Sequence, residues 1–389
     1  MELVERLQCT GCFACKKICP KSCIEIVYDK MGNAYPFINR DFCIECGKCN
    51  QVCPERNFTE FQTIKKAFAA WSLNKSRRKK SASGGVAAEF YDSALRQGYL
   101  ICGAMYQKDF QVIHVLTDDK RKIEDFQQSK YVFSYTSDVY RKIRSQLIEQ
   151  KQILFISLPC KVAALKSYLG KSYDNLLTVD IVCHGTPPYQ YLKEHISGMY
   201  DLNKCKNPNF RVDNEFKFCL RDNNEKQVYC KTGRTDTYLA AFLEGLDYRD
   251  SCYQCKYARA ERISDITLCD FWGLGREKPF NHPYTGAISA ILVNNEKGES
   301  FLKQCQDKFF LEERPVSEAI KGNAQLNKPT SMHKLRKVFE EKYCEVGFEK
   351  AVKYCLKNEM RNESMLIIKR KIRSRLRNIV GIFINRYRG

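Results

Sequence analysis

The 389-residue chain is poor in histidine and tryptophan, with five and two respectively. His114, His195, His282 and His333 stand far apart without ligand spacing, so a histidine-built metal centre has no support. No apolar run reaches the roughly 18–20 residues that a spanning helix needs, which excludes a transmembrane helix. The opening MELVERLQC lacks the charged-then-apolar pattern of a secretory signal. A cytoplasmic location with reduced thiols is therefore expected. A Walker loop is missing, and so is the Rossmann glycine pattern, which excludes the two commonest phosphate cradles.

Cysteine, by contrast, is abundant. The chain holds 21, and an odd number of thiols in a reducing compartment argues for metal rather than a disulfide framework. With 44% hydrophobic and 12% aromatic residues the chain can bury a real core. Its length suits two or three domains. The formal charge of +20 is uneven. Residues 361–389 carry nine Lys and Arg against the single acid Glu363, and KSRRKK at 75–80 adds five more cations. The remaining body is only moderately basic, so no nucleic-acid partner is expected.

CTGCFACKKICP (9–20) and CIECGKCNQVCP (43–54) are one motif written twice. Three thiolates spaced two residues apart wrap one cubane, while the fourth, displaced by three, ligates the other cluster in two-cluster ferredoxins. Cys9, Cys12, Cys15 and Cys53 are assigned to one 4Fe-4S cluster on this pattern, and Cys43, Cys46, Cys49 and Cys19 to the second. Zinc is the competing occupant, but two Cys-x-x-Cys pairs would satisfy it, which leaves two four-cysteine runs unexplained. The intervening IEIVYDKMGNAYPFIN reads as a hairpin turning at Met31-Gly32-Asn33. A unit this small, with two clusters and no room for a substrate pocket, carries electrons.

From about residue 66 apolar strands alternate with amphipathic helices. SASGG (81–85) precedes the helix pattern VAAEFYDSALRQG. Glycines opening a helix let amides approach an anion, and Ser81, Ser83 and nearby cations would add contacts to a diphosphate. The same Gly-Gly is also compatible with a plain turn. Further on, QILFISLPCKVAALKSYLG and NLLTVDIVCHGTPP read as strand Ile153–Leu158, a helix from about Lys161 to Leu169, and strand Leu176–Val182. A strand–helix–strand unit of this length gives parallel neighbours about 4.8 Å apart. Cys160 and Cys183 then share the carboxyl edge of one sheet, where open α/β folds place their sites. Cys252 and Cys255 in DSCYQC supply a further pair, and the four together make a third metal centre, with Cys269 a fifth candidate. Cys183-His184 also invites a nucleophilic dyad, but neighbours on a strand point to opposite faces. Asp265 and Asp270, flanking a short apolar strand, are placed either in cofactor binding or in a structural role.

The ferredoxin head followed by SxSGG, LPCKVAALK, DIVCHGTPP, CxxCxYA and SDIxxxDFWG resembles the beta-subunit family of coenzyme F-420 (deazaflavin) hydrogenase and dehydrogenase. The likeness runs to about residue 305. It implies FAD beside a 4Fe-4S cluster, with Ser83, Gly84 and Gly85 in the flavin diphosphate site. It also implies that Cys160, Cys183, Cys252 and Cys255 hold the inner cluster. One departure is Cys269, where the family usually has glycine. Similar ferredoxin-fused proteins occur in surface-polysaccharide biosynthesis settings.

The expected fold is α+β: a ferredoxin-like head, then a mixed α/β flavin-binding domain and a C-terminal amphipathic helical tail. Residues 1–58 form the head, 66–150 and 151–310 the two parts of the flavin domain with the third cluster in the second, 311–360 a helical extension and 361–389 the basic tail. In the tail Ile368, Ile372, Leu376, Ile379 and Phe383 recur at helical spacing, a pattern that suits an anionic membrane surface, a partner helix or self-packing. The expected function is an iron–sulfur flavoprotein oxidoreductase exchanging electrons with a redox partner protein or a small two-electron carrier. An electron-transfer adapter without its own substrate is the alternative, and a thiol-dependent transferase using Cys183 the third.

Overall fold

A computed structural model describes residues 3–57, 60–136 and 138–386, and beyond Arg370 it describes the backbone and only the side chain of Ile372. The head is built twice over. Short helices Ala14–Ile18 and Lys48–Gln51 carry the third cysteine of each motif, and each follows a left-handed residue, Phe13 (φ 58°) and Gly47 (φ 69°). Between them β1 (Ile24–Tyr28) and β2 (Ala34–Ile38) pair antiparallel. The Asp29 carboxylate accepts from the amides of Met31 (2.9 Å) and Asn33 (2.8 Å) and so shapes the expected turn.

The body is organised by one nine-stranded sheet. Its strands in chain order are β3 (Lys66–Ser72), β4 (Leu100–Tyr106), β5 (Val112–Thr117), β6 (Ser134–Tyr135), β7 (Ile153–Ser157) and β8 (Leu176–Ile181). A separate hairpin sheet, β9 (Asn209–Val212), β10 (Glu215–Arg221) and β11 (Gln227–Thr232), comes next, and β12 (Ile266–Asp270), β13 (Ser289–Val293) and β14 (Phe309–Arg314) complete the large sheet. Its spatial order is β14-β3-β13-β12-β8-β7-β4-β5-β6. The central run β12-β8-β7-β4 is parallel. Every residue of β7 is buried, as expected of a strand covered on both faces. On one face the helices Val86–Arg96 and Glu296–Cys305 pack on Leu154, Val179 and Ile291. On the other, Val139–Ile148 and Pro159–Leu169 pack together with Ala14 and Val52 of the head.

Two boundaries differ from the sequence reading. Strands from 66–150 and 151–310 interleave in the same sheet, so residue 150 separates a helix from the next strand and not two bodies. β14 pairs with β3 and carries the sheet past residue 310, so the helical extension begins after Arg314. That extension folds back as helices Arg336–Val346 and Phe348–Cys355 onto the hairpin sheet and the helices Tyr189–Ser197 and Thr237–Leu243. Here His195 is wholly buried between Asp236 (3.1 Å) and Glu349, which also accepts from Thr237 (2.6 Å).

Cys219 and Cys230, read as ordinary residues, lie opposite each other on β10 and β11 and are joined by a disulfide. The final helix spans Lys357–Arg386, with Ile368 and Ile372 exposed. The other stripe positions, Leu376, Ile379 and Phe383, lie outside the described side chains. Among the described residues no helix is long and apolar enough to cross a membrane.

Candidate iron–sulfur and cofactor sites

The head sorts its thiols crosswise. Cys9, Cys12, Cys15 and Cys53 act electrostatically on one another, and burial pushes the Cys12 thiol up to about 11 and that of Cys15 well above its ordinary value. Cys43, Cys46 and Cys49 form the other group, with Cys19 packed beside Cys43 and Cys49. The two groups differ in depth: Cys9, Cys15 and Cys53 are buried, whereas Cys46 is exposed. Cys23, outside both motifs, lies with its Sγ 3.4 Å from that of Cys19.

The body gathers Cys160, Cys183, Cys252 and Cys255 around one cavity. Each arrives by a different local rule. β7 ends at Ser157, extended Leu158 caps the next helix, and Pro159 occupies its first turn with a pre-set φ. Cys160 therefore sits inside the first helical turn, one step beyond the strand end that the sequence suggested. β8 ends at Ile181, and Cys183 follows where the chain leaves the sheet. Gly185 then turns at φ 149°, and a Cβ there would stand 2.2 Å from the Tyr248 ring. Tyr248 itself leads into the 3-10 turn Asp250–Cys252. Burial raises the pKa of all four thiols, that of Cys255 to about 11. An activated nucleophile needs the opposite shift, so the Cys183 dyad finds no support. His184 lines the mouth of the cavity and is exposed as a residue, yet its ring is desolvated enough that the imidazole pKa falls.

The head docks directly onto this cavity. Thr10, between the first two cysteines of the first motif, lines it. Lys161 Nζ donates to the Gly11 carbonyl (3.0 Å), Thr136 Oγ1 to that of Cys12 (2.9 Å), and Arg249 Nε to that of Cys9 (2.8 Å). Gly11 has φ 63°, and a Cβ there would meet the Phe133 ring at 2.9 Å and the Arg249 guanidinium at 3.1 Å. Close approach therefore demands glycine at this point. Cys12 shares an apolar cluster with Cys160 and Cys255. Lys161 and Arg249 escaped the sequence reading: their signal was only proximity, one residue after Cys160 and three before Cys252.

Other sequence candidates fall elsewhere. Cys269 packs with Trp71, Phe271 and Leu292 and does not line the cavity. Asp265 stands at the amino end of β12, accepting from the Thr178 amide and hydroxyl (both 2.7 Å) and from Asn295 (2.8 Å). It pins strand starts together, a correction to its placement among cofactor ligands. Asp270, at the carboxyl end of the same strand, pairs with Arg211 at 3.0 Å. Around the Gly-Gly turn, Ser81 bonds the Arg77 carbonyl and Gln127, while Ser83 and the Gly84 amide bond Ser289. A Cβ on Gly84 would lie 2.5 Å from the Ala70 carbonyl, so this glycine serves close helix–sheet packing.

With that geometry in view, residues 150–319 match the family described as the C terminus of the coenzyme F420 hydrogenase/dehydrogenase beta subunit. Residues 8–57 match the 4Fe-4S dicluster domain. The chain joins a dicluster head to an F420 hydrogenase/dehydrogenase beta-subunit domain. It is an iron–sulfur electron-transfer protein related to that beta subunit. An uncharacterized protein of Methanocaldococcus jannaschii, MJ1349, is 22% identical over 374 residues, covering 84% of this chain and 95% of that one. A chain of the F420-reducing NiFe hydrogenase complex from Methanosarcina barkeri is 16% identical, with a TM-score of 0.48 over 73% of this chain and 95% of that one.

Proposed function

We propose that the protein is an oxidoreductase whose electrons pass along three 4Fe-4S clusters. The outer would be held by Cys43, Cys46, Cys49 and Cys19, the middle by Cys9, Cys12, Cys15 and Cys53, and the inner by Cys160, Cys183, Cys252 and Cys255. The observation that carries this reading is the single cavity lined by the last four cysteines and touched by Thr10 of the first motif. Four desolvated thiols facing one space are unfavourable as bare thiolates, and a cationic iron core supplies the compensating charge. Among the described residues no three ligand side chains close to single-ion distances. A cubane does not require that, since its own core stands between the thiolates.

The inner site adjoins groups that suit a flavin. Arg78 Nε, Gln128 Oε1, Arg211 Nε and Asp270 Oδ1 are buried without hydrogen-bond partners among the described residues. Arg78 and Asn214 both bond Ala287, which brings the Gly-Gly turn and the β9–β10 hairpin together. Unpartnered buried polar atoms on facing segments are what a polar ligand would satisfy. Arg78, Arg211 and Asp270, bordered by Ser81, Ser83, Gly84 and Gly85, would hold FAD here. FAD, when bound, supplies the exchange between single electrons and a two-electron partner. The chain's own part is to seat the cofactors and exclude water.

The internal bonding of Ser83 and Gly84 favours a second reading, an adapter that hands electrons to another enzyme. Anaerobic purification with iron and flavin analysis decides between them. Three clusters and FAD give about twelve irons per chain plus one flavin. Twelve irons without flavin gives the adapter, and about eight without flavin overturns the proposal.

A further inference from the structure

Between the middle and inner thiol sets lies a cation with one unused donor. Arg249 is 2% exposed. Its guanidinium lies 4.2 Å from the Tyr35 ring centre and 5.5 Å from that of Phe133. Nε donates to the Cys9 carbonyl at 2.8 Å, beside the middle set. The residue also lines the cavity of the inner four cysteines, and Nη2 is buried with no hydrogen-bond partner among the described residues. Its backbone is fixed as firmly: the amide donates to the Thr186 carbonyl (3.1 Å), and the carbonyl accepts from the Cys252 amide (2.9 Å). A buried guanidinium that leaves a donor unsatisfied forfeits about 1–3 kcal/mol unless something in the cavity accepts it.

We propose that Arg249 is the electrostatic bridge between the middle and inner clusters, with Nη2 donating to a sulfur of the inner cluster while Nε holds the Cys9 loop of the middle one. This rests on the three-cluster reading above. Guanidinium stays protonated throughout, so the bridge moves no proton. Reduction adds one electron to a cluster and makes it more negative, and a fixed buried cation stabilises that form. Hydrogen bonds to cluster sulfurs raise the potential in the same sense. The two potentials are thus lifted together, while the outer cluster, out of reach of Arg249, keeps its own. Lys161, bonded to the adjacent Gly11 carbonyl, seats the same loop from the other side.

The test is a redox titration of the full-length, cluster-loaded protein followed by EPR, comparing wild type with Arg249→Gln and Arg249→Lys. In Arg249→Gln the reduced-to-oxidised ratio of the inner and middle clusters at a fixed poise should fall at least tenfold, about 59 mV for a one-electron couple. Iron content and the outer cluster should be unchanged. Arg249→Lys should recover part of the shift, because it keeps the charge and loses the fork. Unmoved potentials with full iron overturn the bridge and leave the three-cluster reading standing. A wild type with about eight irons instead removes the inner cluster and that reading with it. Should Arg249→Gln fail to retain iron, pulsed EPR on wild type labelled with 15N-arginine decides. Nitrogen coupling to the reduced inner cluster supports the bridge, and its absence overturns it.

Discussion

Lys161 Nζ donates to the carbonyl oxygen of Gly11 at 3.0 Å. The two residues belong to different cluster loops: Lys161 follows Cys160 of the body, and Gly11 precedes Cys12 of the head. A buried side chain therefore ties the two ligand loops at adjacent positions, with Phe133 beneath the ammonium at 4.5 Å. Head and body are held as one electron path and not as tethered modules.

Lys161→Met removes this tie without leaving an unpaired charge. The head should loosen at its contact, with faster hydrogen exchange at the amides of residues 10–14 and a stability loss of about 1–3 kcal/mol. Exchange indistinguishable from wild type would show that Thr136 and Arg249 suffice.

Cys183→Ser should lower iron by about four per chain and leave the head clusters' EPR signals intact. Cys46→Ser, at the exposed outer set, should change a head signal and spare the inner one. Full iron with lost activity in Cys183→Ser would instead revive the nucleophile.

Gly185→Ala drives a Cβ to 2.2 Å from the Tyr248 ring at a φ of 149°. Overpacking of this kind costs about 1–3 kcal/mol, and it pushes the loop that carries Cys183. Reduced thermal stability together with lower body iron is expected. A melting temperature and iron count equal to wild type would refute the packing argument.

Stability should depend on pH through the His195–Glu349 pair. Desolvation acts against the charged imidazole, but Asp236 and Glu349 prevail and hold its pKa up at about 9, above the ordinary value of 6.5. Its contribution is fully present below about 6.5 and lost as pH rises through about 9. For Glu349 the desolvation penalty is likewise outweighed, by His195 and Thr237, and the carboxyl is held at about 2 against 4.5. That contribution is present above about 4.5 and lost as pH falls through about 2. Thermal unfolding of wild type should weaken from about pH 6.5 to about pH 9.5, and His195→Gln should flatten that limb. Parallel curves for the two proteins would exclude the pair as the source.

Much of the candidate site was legible because cluster ligation writes itself into local spacing. The two four-cysteine runs specify their cubanes within a dozen residues each, and parallel-strand logic brings Cys160 and Cys183 to one edge on pattern alone. Asp265 and Asp270 were not separable in the same way. They occupy opposite ends of one short strand, and only the sheet's direction tells which end faces the site. Gly84 carried a phosphate-like pattern whose observed use is close packing on Ala70 and Ser289.

The sequence alone determined the cysteine sets, the strand–helix–strand unit and the absence of a long apolar helix, all properties of residues near one another along the chain. Tertiary structure decided what depends on distant segments meeting: one sheet across residues 66–314, Cys269 facing an apolar cluster, the middle thiol set placed toward the inner one, and Arg249 poised between them. Those contacts join positions up to 240 residues apart, such as Arg249 and Cys9, and no local pattern encodes such a meeting. Long-range burial selects it, because a guanidinium withdrawn from water is stable only where another part of the fold brings it carbonyls, rings and negative charge.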